Sequence, residues 1–147
     1  MPSPVAHFEI YGDDPPKLAG FYKNLFGWNI DKAPEMDYWL IKTVATNAQG
    51  QPTAPGGING GLMKRPMPDA RAWLNYVSVA SVDDTVKRAQ GIGAQVIRPK
   101  SPVPKMGWFA ILLDPEHNIF AIWQDDPKAA LGSDYGRGPA LAGPRLS

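Results

Sequence analysis

One order of elements occurs twice in this chain, and no other feature constrains the fold as much. From Val5 to Lys64 the pattern reads strand, helix, strand, strand, strand. From Trp73 to Gln124 it recurs in different residues: Asn75-Tyr-Val-Ser-Val, a helix, Gly-Ala-Gln-Val-Ile, then a hairpin from Gly107 to Gln124. In each unit one helix can cover one face of the strands, and no second helix remains for the other. The repeat predicts an α+β fold in which two βαβββ modules form a curved, half-open barrel around a concave cavity. Residues 1–126 are expected to form one domain, with module one at 5–64, a connector at 65–72 and module two at 73–126.

Local signals mark the elements. Asp14 is a candidate N-cap, and Pro15 suits the first helical position because its missing N–H would have had no partner there. Leu18, Phe21, Tyr22, Leu25 and Phe26 follow with helical spacing as one apolar face, and Gly27 ends the helix. Strands are predicted at 28–33, 38–44 and 58–64, with residues 46–57 as a loop, either a flap or a hairpin tip. In the second unit Ser81 caps a helix that turns Val82, Val86 and Ala89 to the core, and Gly91 and Gly93 end it. Strands follow at 95–98, 108–113 and 119–123, with Ser101-Pro-Val-Pro as a loop. His117 suits a left-handed turn position. Residues 127–147 are a Gly-, Pro- and Ala-rich tail, either mobile or packed late on the surface.

Strand alternation assigns faces. Phe8 and Ile10 should pack under the first helix while His7, Glu9 and Tyr11 point the other way. By the same rule Asn75, Val77 and Val79, Gly60 and Leu62, and Ala121 and Trp123 are expected to face the cavity. Trp39, Trp108 and Trp123 are candidates for a stacking surface, the alternative being that they fill the core.

Composition narrows the function. Lys+Arg 15 against Asp+Glu 14 leaves no basic field for nucleic acid, and no cysteine is present to supply a thiolate ligand or nucleophile. The N-terminal residues lack the pattern of a signal peptide, and no apolar run is long enough to cross a bilayer. The expectation is a cytoplasmic protein without nucleic-acid or membrane partners.

The chain resembles the vicinal oxygen chelate superfamily of glyoxalases, bleomycin-resistance proteins and extradiol dioxygenases. The resemblance rests on Phe21-Tyr-Lys-Asn-Leu-Phe-Gly-Trp28, Gly56-Gly-Ile58, Asn75-Tyr-Val-Ser-Val79 and Asp114-Pro-Glu-His-Asn-Ile-Phe-Ala-Ile-Trp-Gln124. It implies metal-ligand positions on the first and last strand of each module, falling at His7, Gly60, Asn75 and Ala121. Only His7 keeps a good ligand type there, so no metal is expected, the family site being degenerate; a divalent ion on His7 with Glu9 is the alternative.

The resemblance then implies a protein that binds a small apolar or aromatic molecule at His7, Glu9, Asn75 and Trp123, with no cofactor. The alternative is a lyase or dioxygenase that uses His7 and Glu9, or a metal-free catalyst with Glu9 as general base. For His7 the structural alternative is a hydrogen bond to Asn75 or Glu9, and for Glu9 a salt bridge to Lys42. Exposed strand edges, which relatives cover by pairing, imply a homodimer.

Overall fold

The computed structural model describes residues 2–130; the expected tail at 127–147 lies outside these residues beyond 130. Each module has the expected element order. The first contains β1 (Val5–Gly12), α1 (Pro15–Phe26), β2 (Asn29–Lys32), β3 (Tyr38–Lys42) and β4 (Gly60–Lys64). The second contains β5 (Leu74–Ser78), α2 (Val82–Gly91), β6 (Gln95–Val103), β7 (Gly107–Leu113) and β8 (Ile119–Asp125). The fold is α+β, built from two βαβββ modules. The chain divides into two compact units after Trp73, and residues 2–5 group with the second unit, Ser78 N–H donating to Pro4 C=O at 2.9 Å.

The strands of the first module run in the order β2-β3-β4-β1, with β1 parallel to β4 and the other pairs antiparallel. The second has the matching order β6-β7-β8-β5, with β5 parallel to β8. The helix crossover makes the strand after it run parallel to the first strand, and two antiparallel pairings then bring the last strand of the module back parallel, beside the first.

Local chemistry sets the helix ends. The Asp14 carboxylate accepts from Lys17 N–H, two prolines open α1, and Gly27 closes it at φ 70° with its N–H on Lys23 C=O. Ser81 caps α2 by accepting from Asp84 N–H at 3.1 Å. His117 holds φ 64° in the β7–β8 turn, as expected. Asp114 organises that turn by accepting from Glu116 and Asn118 N–H, and the Asn118 bonds foremost hold its carboxyl below the usual range.

The first core joins Phe8, Ile10, Ala19, Ile30, Ile41 and Leu62; the second joins Val82, Ala110, Leu112 and Ile122. Two expectations need correction. The apolar stripe of α1 is only partly used: Leu18 and Tyr22 pack inward, but Phe21, Leu25 and Phe26 stay more than half exposed. The sheet meets a narrower arc of the helix than the hydrophobic pattern offers. Ser101-Pro-Val lies within β6, because register shifts after Val96 and Arg98 accommodate the residues that lack ladder donors. The start of the tail is packed, with Ala129 buried and its carbonyl accepting from Lys105 N–H.

Candidate functional site

Residue register decides which side chains share a face. Phe8 pairs with Gly60 and Ile10 with Leu62, all on the α1 side, so Gly60 and Leu62 do not share the face of Glu9. The partner of Glu9 is Gly61. The expected register of β4 was therefore one residue out, which moves every side chain to the opposite face. β5 shows the same slip. Val77 and Val79 pack on the α2 core, exposed Asn75 shares their face, and Tyr76 is the residue opposite Ala121 on the other. Trp39 and Trp108 also pack on the helix-side cores, Trp108 donating to Asp126 Oδ2 at 2.9 Å. That bond foremost holds the Asp126 carboxyl low. Ala121 and Trp123 do lie opposite α2, and Trp123 donates to Asp125 Oδ1 at 2.6 Å.

In the first module β1, β3 and β4 gather a polar cluster on the face away from α1. Glu9 is fully buried. Tyr38 donates to Glu9 Oε2 and Tyr11 to Oε1, each at 2.8 Å. Among the described residues the alternative ion pair of Glu9 with Lys42 is not formed; two hydroxyls meet the carboxylate. His7 Nε2 lies 2.9 Å from the Tyr38 hydroxyl. A phenol has one proton, and Tyr38 gives it to Glu9. Its oxygen therefore accepts from His7, which places the imidazole proton on Nε2.

The titration of the cluster follows from burial. Desolvation lowers the His7 pKa to about 4, so the ring is neutral near pH 7. Desolvation foremost, with the Glu9 charge and hydrogen bond behind it, raises both phenols far above their ordinary range. Tyr11 and Tyr38 thus remain donors over the whole accessible pH range.

Gly61 makes room for this arrangement. A Cβ at Gly61 would lie 1.7 Å from the Tyr38 hydroxyl oxygen. Any side chain there would collide with the fully buried ring, so the phenol occupies the volume that a side chain on the last strand of the module would need. Nearby, Asn59 Oδ1 accepts from Thr43 N–H at 2.8 Å, while its buried Nδ2 has no partner among the described residues. Among the described residues, no group of three or more His, Asp or Glu could hold a metal ion.

The sequence singled out His7 and Glu9, and the structure joins them through Tyr38. Tyr11, Tyr38, Asn59 and Gly61 did not stand out in the sequence as a unit. The one available signal was that Tyr11 shares the parity of Glu9.

Comparison with known proteins agrees with this fold. The glyoxalase-like domain family matches residues 8–123. Protein CFP32 of Mycobacterium bovis, named provisionally as a glyoxylase, is 30% identical over 124 residues, which cover 82% of this chain. The match spans only 43% of that relative's length. Among solved structures, methylmalonyl-CoA epimerase of Streptomyces coelicolor superposes with a TM-score of 0.59 at 13% identity, covering 89% of this chain and 100% of the epimerase. A glyoxalase/bleomycin resistance protein/dioxygenase superfamily member from Vibrio splendidus gives 0.56 at 13% identity, covering 85% and 100%. At such identities the likeness concerns the fold alone.

Proposed function

Because this chain belongs to the glyoxalase-like domain family, within the vicinal oxygen chelate superfamily, we propose that it binds a small, apolar or aromatic molecule without a metal in the inherited position. The observation that carries this reading is the Tyr38 phenol, which takes the space beside Glu9 and bridges Glu9 to His7. His7 and Glu9 are two donors where a catalytic zinc uses about three protein ligands. Both Glu9 oxygens already accept from phenols, and Gly60 and Gly61 carry no donor. The residues present do not fit the family metal.

In this reading Glu9 is a positioning residue rather than a general base. Buried beneath the two phenols, it orients their hydroxyls, and the half-buried His7 and Tyr11 are the members a ligand can reach. A neutral imidazole beside fixed phenols suits hydrogen bonding to an uncharged or weakly polar ligand, the rest of which is held by apolar contact.

Elemental analysis of protein purified without chelator tests the metal half of the reading, and substoichiometric zinc, iron, manganese and nickel are expected. One equivalent of any of these, lost in His7→Ala, would refute it. A thermal-shift screen of aromatic metabolites and antibiotics tests the binding half. At least one compound should raise Tm in the wild type and lose that effect in His7→Ala; hits indifferent to His7→Ala would move the site elsewhere.

A further inference from the structure

A cavity lies where the carboxyl ends of β1 and β4 meet the start of α1, lined from the α1 side by Ile10, Leu18 and Tyr22 and touched at one edge by Tyr11. It is an open cleft of about 470 Å³. That volume falls within the range of small-molecule sites, about 300–1,000 Å³. We propose that this cleft is a separate binding site for a planar aromatic molecule carrying an acidic group.

The aromatic half of the proposal follows from how two exposed rings are held. Trp73 lines the cleft, and nearly half of its surface is open to solvent. It is stacked on buried Phe8, with centroids 5.5 Å apart and planes at 20°, and meets Tyr22 edge-on at 6.0 Å. Phe21, also lining the cleft and exposed, meets Tyr22 edge-on at 5.1 Å. Exposed rings anchored on inner rings form a rigid apolar wall, so a planar ligand would stack there with little loss of side-chain freedom.

The acidic half follows from the charges at the rim. Lys17, Arg65 and Arg71 face Asp13 and Asp14. Arg65 is committed, its Nε donating to Asp13 Oδ1 at 3.1 Å and its Nη1 to Ala70 C=O. Asp14 is committed as the cap of α1. That bond leaves the Asp14 charge in place, so the rim carries one net positive charge, with Lys17 and Arg71 as the cations outside the Arg65–Asp13 ion pair. Arg71 is fixed through one bond, Nε to Pro68 C=O at 3.0 Å, which aims the guanidinium and leaves its outer N–H edge for a carboxylate, phosphate or sulfonate.

The start of α1 adds no donor of its own. Pro15 and Pro16 have no N–H, Lys17 N–H goes to the Asp14 side chain, and Leu18 N–H to Asp14 C=O. An anion here is held by Lys17 and Arg71 rather than by the backbone. That separates the proposal from ordinary anion binding at a helix terminus and makes it testable by side-chain substitution.

The probe is 8-anilinonaphthalene-1-sulfonate, titrated by fluorescence into the full chain, against N-phenyl-1-naphthylamine, which has the same rings and no acid group. The wild type should show one saturable sulfonate site that weakens about tenfold or more in the double variant Lys17→Ser, Arg71→Ser. The neutral probe should bind about tenfold more weakly than the sulfonate and be indifferent to the double variant. Both positions are exposed, so the variant should stay folded, which circular dichroism checks. Equal affinity of the two probes, or of variant and wild type for the sulfonate, would overturn the proposal. So would several weak sites without saturation.

Discussion

Replacing Tyr38 by Phe removes one oxygen and keeps the ring that fills the space over Gly61. The oxygen makes two bonds. One donates to a buried carboxylate at 2.8 Å; the other accepts from His7 at 2.9 Å. A hydrogen bond to a charged group contributes about 1.5–3 kcal/mol and a neutral one about 0.5–1.5 kcal/mol. Tyr38→Phe should therefore cost about 2–4.5 kcal/mol, measured by urea unfolding at pH 7.5. A chain of this length loses about 3 °C of Tm per kcal/mol, so Tm should drop by roughly 6–14 °C. Tyr11→Phe is the comparator. It breaks one bond of the same 2.8 Å to the same carboxylate from a half-buried position, and should cost about half as much. The order Tyr38→Phe worse than Tyr11→Phe is the essential outcome. A Tyr38→Phe protein within about 0.5 kcal/mol of wild type, the usual scatter of neutral surface changes, would show that the network contributes no net stability.

Two further outcomes follow from the same cluster. Gly61→Ala should destabilise by more than about 3 kcal/mol, since displacing a buried Tyr ring returns roughly 150–250 Å² to water at about 25 cal/mol per Å²; in a Tyr38→Ala background that penalty should nearly vanish, and a double-mutant cycle without coupling would contradict the collision at 1.7 Å. The folded-state pKa of His7 near 4 lies below its unfolded value of 6.5, so stability is full above pH 6.5, falls as the unfolded chain takes up the proton, and levels off below 4; His7→Gln should remove that share of the acid slope, at most about 1.4 kcal/mol per pH unit, and an unchanged slope in urea midpoints between pH 5 and 6.5 would refute it.

The sequence by itself determined what depends on neighbours along the chain. Asp14, the two prolines and Gly27 bound α1 because capping and positive φ are decided within a turn. His117 was legible for the same reason. The duplicated element order gave the two modules, and the amphipathy of α1 correctly turned Phe8 and Ile10 inward, which put His7 and Glu9 together on the other face.

Tertiary structure decided everything that rests on register. Alternation fixes which residues of a strand share a face, but not which face looks where. At the entry to β4 the Gly-Ile-Asn-Gly-Gly run offers few side chains to mark the buried side, so alternation alone selects Gly60 where the pairing places Gly61 beside Glu9. In β5 an apolar residue stands on either parity, Tyr76 and Val77, and only the pairing with Ala121 and Ile122 sorts them. The link between Glu9 and Tyr38 spans 29 residues and that between His7 and Tyr38 spans 31. It exists because β4 lies between β1 and β3 and carries a glycine at the crossing point, leaving a gap one phenol wide. No local pattern encodes that gap, since a glycine gains its meaning only from the ring that another strand lays over it.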